Sequence, residues 1–569
     1  MTSNVTTSKR SRCWSYTKTV INLIRTRLNC DEDWRVRVQA DDHSAHRVAD
    51  PDSIDGIAVV VAPCQWWTKP VLPCTSAPMK RLSPATLQDL PPHVHRPAYG
   101  RAAVTPGLVH LGIGAFHRAH QAVAIDACLA RGERDWGIVA ASLRSPAVRD
   151  ALAPQDCLYT LCTRSDDQVD HRVIGSISSV LVAPENPERL LAALSDPRIR
   201  LVTLTVTEKG YATDLASGAL RFDDPDIAHD LAHPTLPRST LGFLTEAIAR
   251  RRASGLKPFS ILSCDNLPRN GATLHRSLVA FAAARDRGLA DFILQSVACA
   301  SSMVDRIVPA TTDLDRARVA EALGLVDEAP VLGEPFFQWV IEDRFGQGRP
   351  GLEQAGAEMV GDVEPFEHMK LRLLNGAHTL LAAVGRLAGL ATVDAAIADR
   401  AVRRLVNAYW DEARPTLVID AAQSLRYVER LTERFSNRAL AHQTAQIATD
   451  ASLKVPQRIL AGLRERRRTG APCEAMVFAV AAWIRSCGGF DDAGRPLLVQ
   501  DPAYARWTGA PDQRQAMPGE TVAAFLQWSS VFGADLPRDF EFAESLTSAY
   551  GAIADHGVIG AIVRHFGRA

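Results

Sequence analysis

The stretch that decides the fold is Gly107-Leu108-Val109-His110-Leu111-Gly112-Ile113-Gly114-Ala115-Phe116-His117-Arg118. Its first half is a short apolar run typical of a buried strand, and a helical pattern from Ala115 to Arg131 follows it directly. Two glycines at such a junction, Gly112 and Gly114, let the backbone turn tightly and approach a pyrophosphate. His117 replaces the third glycine of the full fingerprint, so the motif indicates a dinucleotide site only together with its place on the first of several strands.

Short apolar runs and helical periods alternate along the chain as far as about residue 360. Further strand patterns cover 136–143, 200–206 and 258–264, and a helical period lies near 241–251. Strands that alternate with helices indicate βαβ units and a parallel sheet. Beyond about residue 364 only helical periods follow, over 370–387, 395–413, 453–467 and 521–532. We therefore expect an α/β fold with an N-terminal Rossmann-type parallel-sheet domain, residues 79–360, followed by a mostly α-helical C-terminal domain, residues 361–569.

Residues 1–78 have no amphipathic period longer than a turn or two, and they hold four of the eleven cysteines. Their apolar run over 19–24 is broken by Asn22 and is too short for a secretory signal. A mitochondrial presequence is the alternative, because basic residues lead and the first acidic residue is Asp31. We expect a disordered or non-native extension ahead of a body that begins near Met79.

The composition argues against several classes of protein. The chain has 569 residues, of which 22% are charged, and its 64 basic side chains are balanced by 64 acidic ones. That balance argues against a nucleic-acid binder, which would carry a basic excess. No stretch approaches the roughly 18 uninterrupted apolar residues of a membrane span. No two cysteines form a CxxC pair either, so a structural zinc site is not expected. A large cytoplasmic globular protein is the class that remains.

Lysine is scarce, since only 8 of the 64 basic residues are lysine and the others are arginine. An amine that must lose its proton cannot be replaced by arginine, so each lysine position is informative. Lys370 lies in a predicted apolar helix, with Asn375 and His378 about 140° and 80° around the helix from it. A buried polar face of this kind needs hydrogen-bonding partners, which a substrate rich in hydroxyls would supply. The alternative is an interdomain helix whose polar residues are satisfied by the protein itself.

The chemistry of these side chains suits the oxidation of an alcohol. A desolvated lysine with a lowered pKa can take the hydroxyl proton while hydride leaves for a nicotinamide. An asparagine amide can donate to the developing oxygen. Glu367, one turn before Lys370, would either relay protons or form a helical ion pair.

Several motifs occur in order along the chain: HxGxGxFHRAH over 110–120, TEKGY over 207–211, SCDNLP over 263–268, SMVDRI over 302–307 and Lys-x4-Asn-x2-His from Lys370. Together they resemble the mannitol dehydrogenase family of long-chain, polyol-specific, metal-independent dehydrogenases, over essentially Met79 to Ala569. Members have an N-terminal Rossmann-type domain, a helical C-terminal domain and a substrate cleft between them. The resemblance implies the same arrangement here.

The resemblance also implies roles for the residues that match these motifs. Lys370 matches the catalytic general base, and Asn266 and Asn375 match the two amides that hold the reacting oxygen. Further substrate contacts are implied at His378, Asp305 and Lys454. The chain departs from many members at Gln446, where an arginine is usual eight residues before the second lysine, and at Ala451, where glycine is usual. The glutamine form resembles a bacterial branch of mannitol dehydrogenases and fructuronate reductases, which leaves the far end of the substrate open.

The candidate cofactor-binding residues are Gly112, Gly114, Phe116 and Arg118. The second predicted strand ends in Ser142-Leu143-Arg144-Ser145, without the acidic residue expected on a ribose 2′-hydroxyl. An arginine there could instead accommodate a 2′-phosphate. We therefore expect NAD, with NADP left open.

These observations predict an NAD-dependent oxidoreductase that interconverts a linear polyol and its 2-ketose, of the mannitol and fructose type, with a lysine base and no metal. Fructuronate reductase, acting between mannonate and fructuronate, is the alternative within the same chemistry. A nucleotide-binding regulator without turnover is the alternative from another class. The expected partner is a small polyol or sugar acid, with no nucleic acid or membrane, and the chain is expected to be a monomer or weak oligomer.

Overall fold

The computed structural model describes residues 79–166, 168–214, 218–507 and 509–567, and the expectation for residues 1–78 lies outside them. Two regions follow each other within this part of the chain. The sheet region, residues 79–360, holds every described strand, and the helical region, residues 361–567, holds none of them. The expected fold class, a parallel Rossmann-type sheet followed by a mostly helical part, is confirmed.

Strands of the sheet region are short, between two and six residues each. They are β1 (Pro106–Leu111), β2 (Gly137–Ser142), β3 (Tyr159–Arg164), β4 (Val169–Ile174), β5 (Ile177–Val182), β6 (Leu201–Leu204), β7 (Ser260–Ser263), β8 (Cys299–Ala300), β9 (Ser302–Asp305), β10 (Val331–Gly333), β11 (Gln338–Glu342) and β12 (Ala357–Val360). Six form one parallel sheet in the order β5-β2-β1-β6-β7-β8. This is the strand order of the doubly wound dinucleotide-binding fold, in which the order reverses between β1 and β6.

Two smaller sheets accompany the parallel one, and the sequence analysis did not foresee them. One has the order β10-β3-β4, with β3 and β4 antiparallel, and the other has the order β12-β11-β9. The second of these sheets carries Asp305 at the end of β9, where it is paired in register with Gln338 of β11. The sheet region is therefore larger than a plain βαβ series, and its additions position a candidate site residue.

Neighbouring residues of β1 pack on opposite faces of the parallel sheet. Leu108 belongs to one apolar core and Val109 to another, and both side chains are buried. Helices of the sheet region cover both faces, as expected for parallel strands that are continuous apolar runs. The helices are α1 (Ala115–Ala119), α2 (Gln121–Ala130), α3 (Ala147–Leu152), α4 (Pro187–Ser195), α5 (Pro225–Ala232), α6 (Thr240–Ala253), α7 (Asn270–Arg285), α8 (Arg287–Ser296) and α9 (Asp313–Leu323).

The predicted helix from Ala115 to Arg131 is two helices. The break is at His120, which has non-helical backbone angles of φ −126° and ψ −86°. Its ring Nε2 lies 2.9 Å from the Gln338 carbonyl, and its ring stacks on Phe337. These contacts to another sheet hold the residue out of the helical path, which sequence periodicity alone could not indicate.

The helical region has an apolar core of its own, in which Tyr409 and Trp410 are fully buried. Its helices are α10 (Glu364–Met369), α11 (Gly376–Leu387), α12 (Val393–Ala398), α13 (Arg400–Ala413), α14 (Ala421–Ser436), α15 (Thr444–Ala448), α16 (Ala451–Val455), α17 (Ala461–Arg468), α18 (Glu474–Ser486), α19 (Pro502–Arg506), α20 (Pro518–Leu526), α21 (Ser529–Phe532) and α22 (Phe540–Phe566). Two π-helical segments interrupt this series, Lys370–Asn375 and Pro456–Leu460. Short 3₁₀ turns occur at Pro84–Asp89, Arg101–Ala103, Ala153–Gln155, Glu208–Tyr211, Leu352–Ala355, Arg414–Thr416, Arg438–Leu440 and Leu536–Arg538.

One described helix, α22, is long and apolar enough to cross a membrane by length and composition. Polar and charged residues interrupt its apolar run, so the sequence pattern alone did not indicate a membrane span. The helix is kinked at Gly557, and it buries Leu546, Tyr550 and Ile553 in the core of the helical region. In its most apolar window of 18 residues, 39% of the residues are buried.

Candidate active site

A cleft of about 820 Å³ opens at the carboxyl ends of β1, β2 and β6. Gly112, Gly114, Ser142 and Thr205 line it from the sheet region, and Asp450 lines it from the helical region. This is the point where the strand order reverses, at which ligands bind in open α/β sheets. The size and position of the cleft fit a dinucleotide.

The turn after β1 requires glycine at its first position. Gly112 has φ +99°, and a Cβ atom there would lie 2.0 Å from the Thr205 carbonyl oxygen. The Gly112 carbonyl accepts a hydrogen bond from the Thr205 hydroxyl at 2.6 Å, and it lies 3.1 Å from Nε2 of His110. The backbone of the turn is thus held against β6 by side chains beneath it, which leaves its outer face open to a ligand.

Two other candidate cofactor residues lie away from this cleft. The Arg118 guanidinium is buried, donates to the Ala329 carbonyl at 2.6 Å and lies over the Tyr159 ring. Phe116 stacks on His120 and is not among the residues that line the cleft. Both contacts support packing between α1 and the neighbouring strands, and the geometry gives no support to a direct role in cofactor binding.

Lys370 begins a π-helical segment, whereas the sequence predicted a regular α-helix. The Tyr409 hydroxyl donates to the Arg372 carbonyl, and Trp410 Nε1 donates to the Leu373 carbonyl, both at 2.9 Å. These bonds satisfy carbonyls within the segment. Gly376 permits the approach, because a Cβ there would lie 1.9 Å from the Tyr409 hydroxyl. The i to i+5 spacing of a π-turn brings Lys370 and Asn375 closer to one face than an α-helix would, and π-turns are frequent at functional sites.

The Lys370 side chain is 6% exposed, and its Nζ lies 2.5 Å from Oδ1 of Asn266, which follows β7. Burial lowers the pKa of Lys370 to about 8. The Asp305 carboxylate opposes this shift, while the guanidinium groups of Arg458 and Arg434 add to it. A protonated lysine can only donate hydrogen bonds, so the amide oxygen Oδ1 of Asn266, and not its nitrogen Nδ2, must face the amine. The Nδ2 hydrogens of Asn266 are then left to donate to a substrate oxygen.

Two buried atoms near Lys370 have no hydrogen-bond partner among the described residues. They are Oδ1 of Asn375 and Nε2 of His378. Burial, with His442 next, holds the pKa of His378 well below its usual value, so the ring is neutral. Its ring packs against Phe435 with centroids 4.6 Å apart. Because orphaned buried polar atoms are costly, these two positions indicate where hydroxyl groups of a ligand would bind.

Asp305 is 2% exposed and already engaged. Its carboxylate accepts hydrogen bonds from both terminal nitrogens of Arg434 and from the Tyr427 hydroxyl, each at 2.8 Å. Burial alone would raise the pKa of Asp305, but the charge and hydrogen bonds of Arg434 keep it below its usual value. Asp305 is therefore ionised, and its negative charge raises the pKa of Lys370.

Lys454 and its neighbours lie on α16 and the second π-segment. The Lys454 amine donates to the backbone carbonyls of Ile447 and Thr449. Arg458, four residues further on, lies 3.2 Å from the Thr379 hydroxyl of α11 through Nη1 and lowers the pKa of Lys370. The structure thus brings Arg458 close to Lys370.

Glu367 is another buried titratable group close to Lys370. Its Oε2 accepts the Arg269 backbone N–H at 2.8 Å, and its Oε1 has no partner among the described residues. Burial raises the pKa of Glu367 to about 7. A cavity of about 20 Å³, room for one water, is lined by Glu367, Lys370 and Asn266. Among the described residues no ion pair joins Glu367 to Lys370, although the Glu367 carboxylate raises the pKa of Lys370.

Several residues of this site were missed by the sequence analysis. They are Arg434, Tyr427, Glu334, Arg458 and His442. Only Arg458 had a local signal, its four-residue spacing from Lys454 on the same helical face. The others come from separate helices and strands. In the described part of the chain, no three histidine, cysteine or acidic residues cluster in a way that could hold a metal ion.

Known proteins resemble this chain over both regions. The family description "Mannitol dehydrogenase Rossmann domain" matches residues 106–354, and "Mannitol dehydrogenase C-terminal domain" matches residues 362–554. The D-mannonate oxidoreductase of Escherichia coli is 40% identical over 479 residues, which cover 83% of this chain and 98% of that protein. The mannitol 2-dehydrogenase of Pyrenophora tritici-repentis is 39% identical over 482 residues, covering 83% of this chain and 84% of that protein.

Among solved structures, the mannitol 2-dehydrogenase of Pseudomonas fluorescens, in ternary complex with NAD and D-mannitol, matches with a TM-score of 0.80 and 37% identity. The match covers 86% of this chain and all of that one. Both family descriptions, in order and over most of the described residues, agree with the strand order and with the cleft at the carboxyl ends of the strands. The chain belongs to the mannitol dehydrogenase family of oxidoreductases.

Proposed function

We propose that this protein is an NAD-dependent oxidoreductase that interconverts a linear polyol and its 2-ketose, with Lys370 as the general base. The observation that carries the proposal is the set of polar atoms around the buried Lys370 amine. Asn266 is bonded to the amine, and buried atoms of Asn375 and His378 lack partners. A polyhydroxylated substrate would form hydrogen bonds with these atoms. An apolar ligand would keep them buried without partners, which costs free energy.

The chemistry follows from these positions. In oxidation the neutral Lys370 amine takes the proton of the reacting hydroxyl, while the amides of Asn266 and Asn375 donate to the oxygen as it becomes a carbonyl. His378 holds a neighbouring hydroxyl through its unpaired ring nitrogen. NAD, when bound in the cleft after β1, supplies the hydride acceptor. Glu367 then accepts the proton from Lys370 across the small cavity that they share. In ketone reduction the protons move in the opposite direction.

The cleft after β1 supports NAD as the cofactor. Gly112 and Gly114 line it, and a side chain at Gly112 would collide with β6. Arg144 also lines the cleft, and no acidic residue lies between Ser142 and Ser145 to select a ribose 2′-hydroxyl. NAD is proposed as the preferred cofactor because the similar ternary complex contains it, and NADP stays open because of Arg144.

A fructuronate reductase, acting between mannonate and fructuronate, is the second candidate within the same chemistry. One observation favours it: the similar D-mannonate oxidoreductase has as high an identity as the mannitol 2-dehydrogenases. Gln446 counts against it, because a neutral glutamine offers a sugar acid no positive charge. Arg458 near the base offers a positive charge for a sugar acid.

A spectrophotometric panel of mannitol, arabinitol, sorbitol, mannonate and fructuronate with NAD and NADP tests both assignments. Turnover of mannitol above mannonate supports the first candidate, and the reverse order supports the second. No turnover of any of them, with Lys370→Arg keeping nucleotide affinity, would support a regulator without turnover. We further propose that residues 79–360 and 361–569 act as cofactor and substrate domains of a cytoplasmic monomer or weak oligomer.

A further inference from the structure

A single buried arginine of the helical region joins two carboxylates of the sheet region. Arg434, near the end of α14, is 7% exposed. Its two terminal nitrogens lie 2.8 Å from the oxygens of Asp305, while Nε and Nη2 lie 2.9 and 2.7 Å from the oxygens of Glu334. Both carboxylates are 2% exposed or less. The planar guanidinium fork fits such double recognition, which a lysine could not reproduce.

Each carboxylate has a further hydrogen bond. Glu334 accepts the backbone N–H of Ile307 at 2.6 Å within the sheet region, and Asp305 accepts a second bond from α14, from the Tyr427 hydroxyl. A buried carboxylate that loses its cationic partner is strongly destabilised. Helix α14 therefore cannot separate from the strand that carries Asp305 without a large energetic cost.

This arrangement lies beside the base. Charged and titratable groups face Lys370 from every element packed around it: Glu367 on α10, Asp305 at the end of β9, Arg434 on α14, Arg458 on the second π-segment, His378 on α11 and His120 between α1 and α2. The two histidines are neutral because burial lowers the pKa of both. Within this set, Arg434 and Asp305 are joined by direct hydrogen bonds.

We propose that Arg434 is a positioning residue that fixes the Asp305 carboxylate beside Lys370 and so sets the charge that the base experiences. The proposal rests on the role proposed above for Lys370. It adds a function for α14, a helix that carries none of the residues singled out by the sequence motifs. Arg434 acts through Asp305 and does not itself take part in proton transfer.

The direction of the effect follows from the charges. Arg434 lowers the pKa of Lys370, whereas Asp305 raises it. Arg434→Met removes the positive charge and leaves Asp305 with less neutralisation, so Lys370 should hold its proton more tightly. We expect the pH profile of alcohol oxidation to move to higher pH by about 1 unit, the lower end for loss of a nearby charge. Arg434→Lys keeps the positive charge but loses the fork, so Asp305 is held less firmly. The midpoint should move by less than in Arg434→Met, and kcat should fall by about 10-fold.

The experiment compares Arg434→Met, Arg434→Lys and the matched control Arg430→Met with the wild-type enzyme. Arg430 lies one turn earlier on α14, is exposed, and has no ion pair among the described residues. The readouts are the pH profile of oxidation, kcat and KM, the NADH dissociation constant, the melting temperature, and the rate of Lys370 acetylation against pH, read by peptide mass spectrometry. Only eight lysines are present, which keeps the acetylation pattern simple.

The expected result is an alkaline shift in Arg434→Met in both the oxidation and the acetylation profiles, with the control unchanged. A purely structural role would lower the melting temperature of both Arg434 variants and leave the Lys370 midpoint and the kcat of the folded enzyme unchanged, which would overturn the proposal. If Arg434→Met does not fold, Arg434→Lys decides: wild-type kcat contradicts the proposal, and a reduced kcat with unchanged NADH affinity supports it. Should Lys370 not be the base, Lys370→Arg would remain active, while the acetylation profile would still report the action of Arg434.

Discussion

Nζ of Lys370 lies 2.5 Å from Oδ1 of Asn266, although 104 positions separate the two residues in the chain. Asn266 follows a strand of the sheet region, and Lys370 starts the π-segment of the helical region. The bond forms only when the two regions pack together. On the proposed roles, the activity therefore depends on that packing as well as on the residues themselves.

Lys370 gives the first prediction. Lys370→Ala should lower kcat by at least about 10²-fold, the lower end for loss of a general base, while NADH binding stays nearly intact. Lys370→Arg should be almost as damaging, because guanidinium keeps the charge but cannot accept the proton. Steady-state kinetics and NADH fluorescence titration measure both effects. Retention of most of the wild-type rate by Lys370→Arg would make the residue an electrostatic anchor.

The pH dependence of the wild-type enzyme gives the second prediction. The neutral amine is the active form in oxidation, and burial lowers the pKa of Lys370 to about 8. Oxidation should therefore rise with pH through about 8, and ketone reduction, which needs the protonated amine, should fall over the same range. A profile of kcat/KM in both directions checks the signs. An oxidation rate that is flat between pH 6 and 10, a range of about two units on either side of the midpoint, would contradict the assignment.

Asn375 gives the third prediction. Asn375→Leu removes the amide at similar volume, so the developing oxygen loses a donor in a buried site. We expect kcat to fall by about 10²-fold with little change in NADH affinity. Rapid-mixing measurement of hydride transfer separates this from slow product release. An unchanged hydride-transfer rate would mean that the Asn375 amide nitrogen does not donate to the reacting oxygen.

Gly112 gives the fourth prediction. Gly112→Ala places a Cβ 2.0 Å from the Thr205 carbonyl in a backbone with φ +99°, so the turn after β1 must move. We expect a loss of more than about 1 kcal/mol in stability and a weaker NADH complex. Gly361→Ala is the matched control, since nothing lies within 4 Å of a Cβ there. Thermal melting and NADH titration of both variants decide the question, and equal NADH affinity in the two would argue against the cleft.

Arg144 gives the fifth prediction. NAD should have the higher kcat/KM, and Arg144→Glu should weaken the binding of NADPH more than that of NADH, because a carboxylate repels the 2′-phosphate. Binding titration of NADH and NADPH to both proteins measures the ratio without turnover. A higher catalytic efficiency of the wild-type enzyme with NADP would show that Arg144 or Ser145 reads the phosphate and would reverse the cofactor preference.

The central sheet was largely predictable from the sequence. β1, β2, β6 and β7 are buried on both faces, so they form continuous apolar runs that stand out from their surroundings. β5 was missed because serines interrupt it, and β8 has only two residues. Parts of the two smaller sheets pair over long separations along the chain, such as β3 with β10, and such pairs leave no local pattern in the sequence.

The candidate site was predictable only in part, because its geometry depends on distant partners. The segment from Lys370 to Asn375 has the pattern of an α-helix. Its π-turn is stabilised by Tyr409 and Trp410, which lie more than a helix away in the chain. Arg434 had no signal at all, since arginine is the common basic residue of this chain and its carboxylate partners lie on β9 and in the loop after β10. Composition could single out a rare lysine but could not single out one arginine among many.

The division of the polar groups between two stretches of chain has an evolutionary consequence. The cleft that fits a dinucleotide is lined almost wholly by residues before position 241. Asp450 is its one lining residue from the helical region. Most groups proposed to meet the substrate lie between residues 370 and 458. Substitutions that change the preference for the cofactor and substitutions that change the preference for the substrate would therefore fall at different residues. On the proposed roles, substitutions between residues 370 and 458 would change the choice of substrate while every residue that lines the cleft before position 241 stays the same.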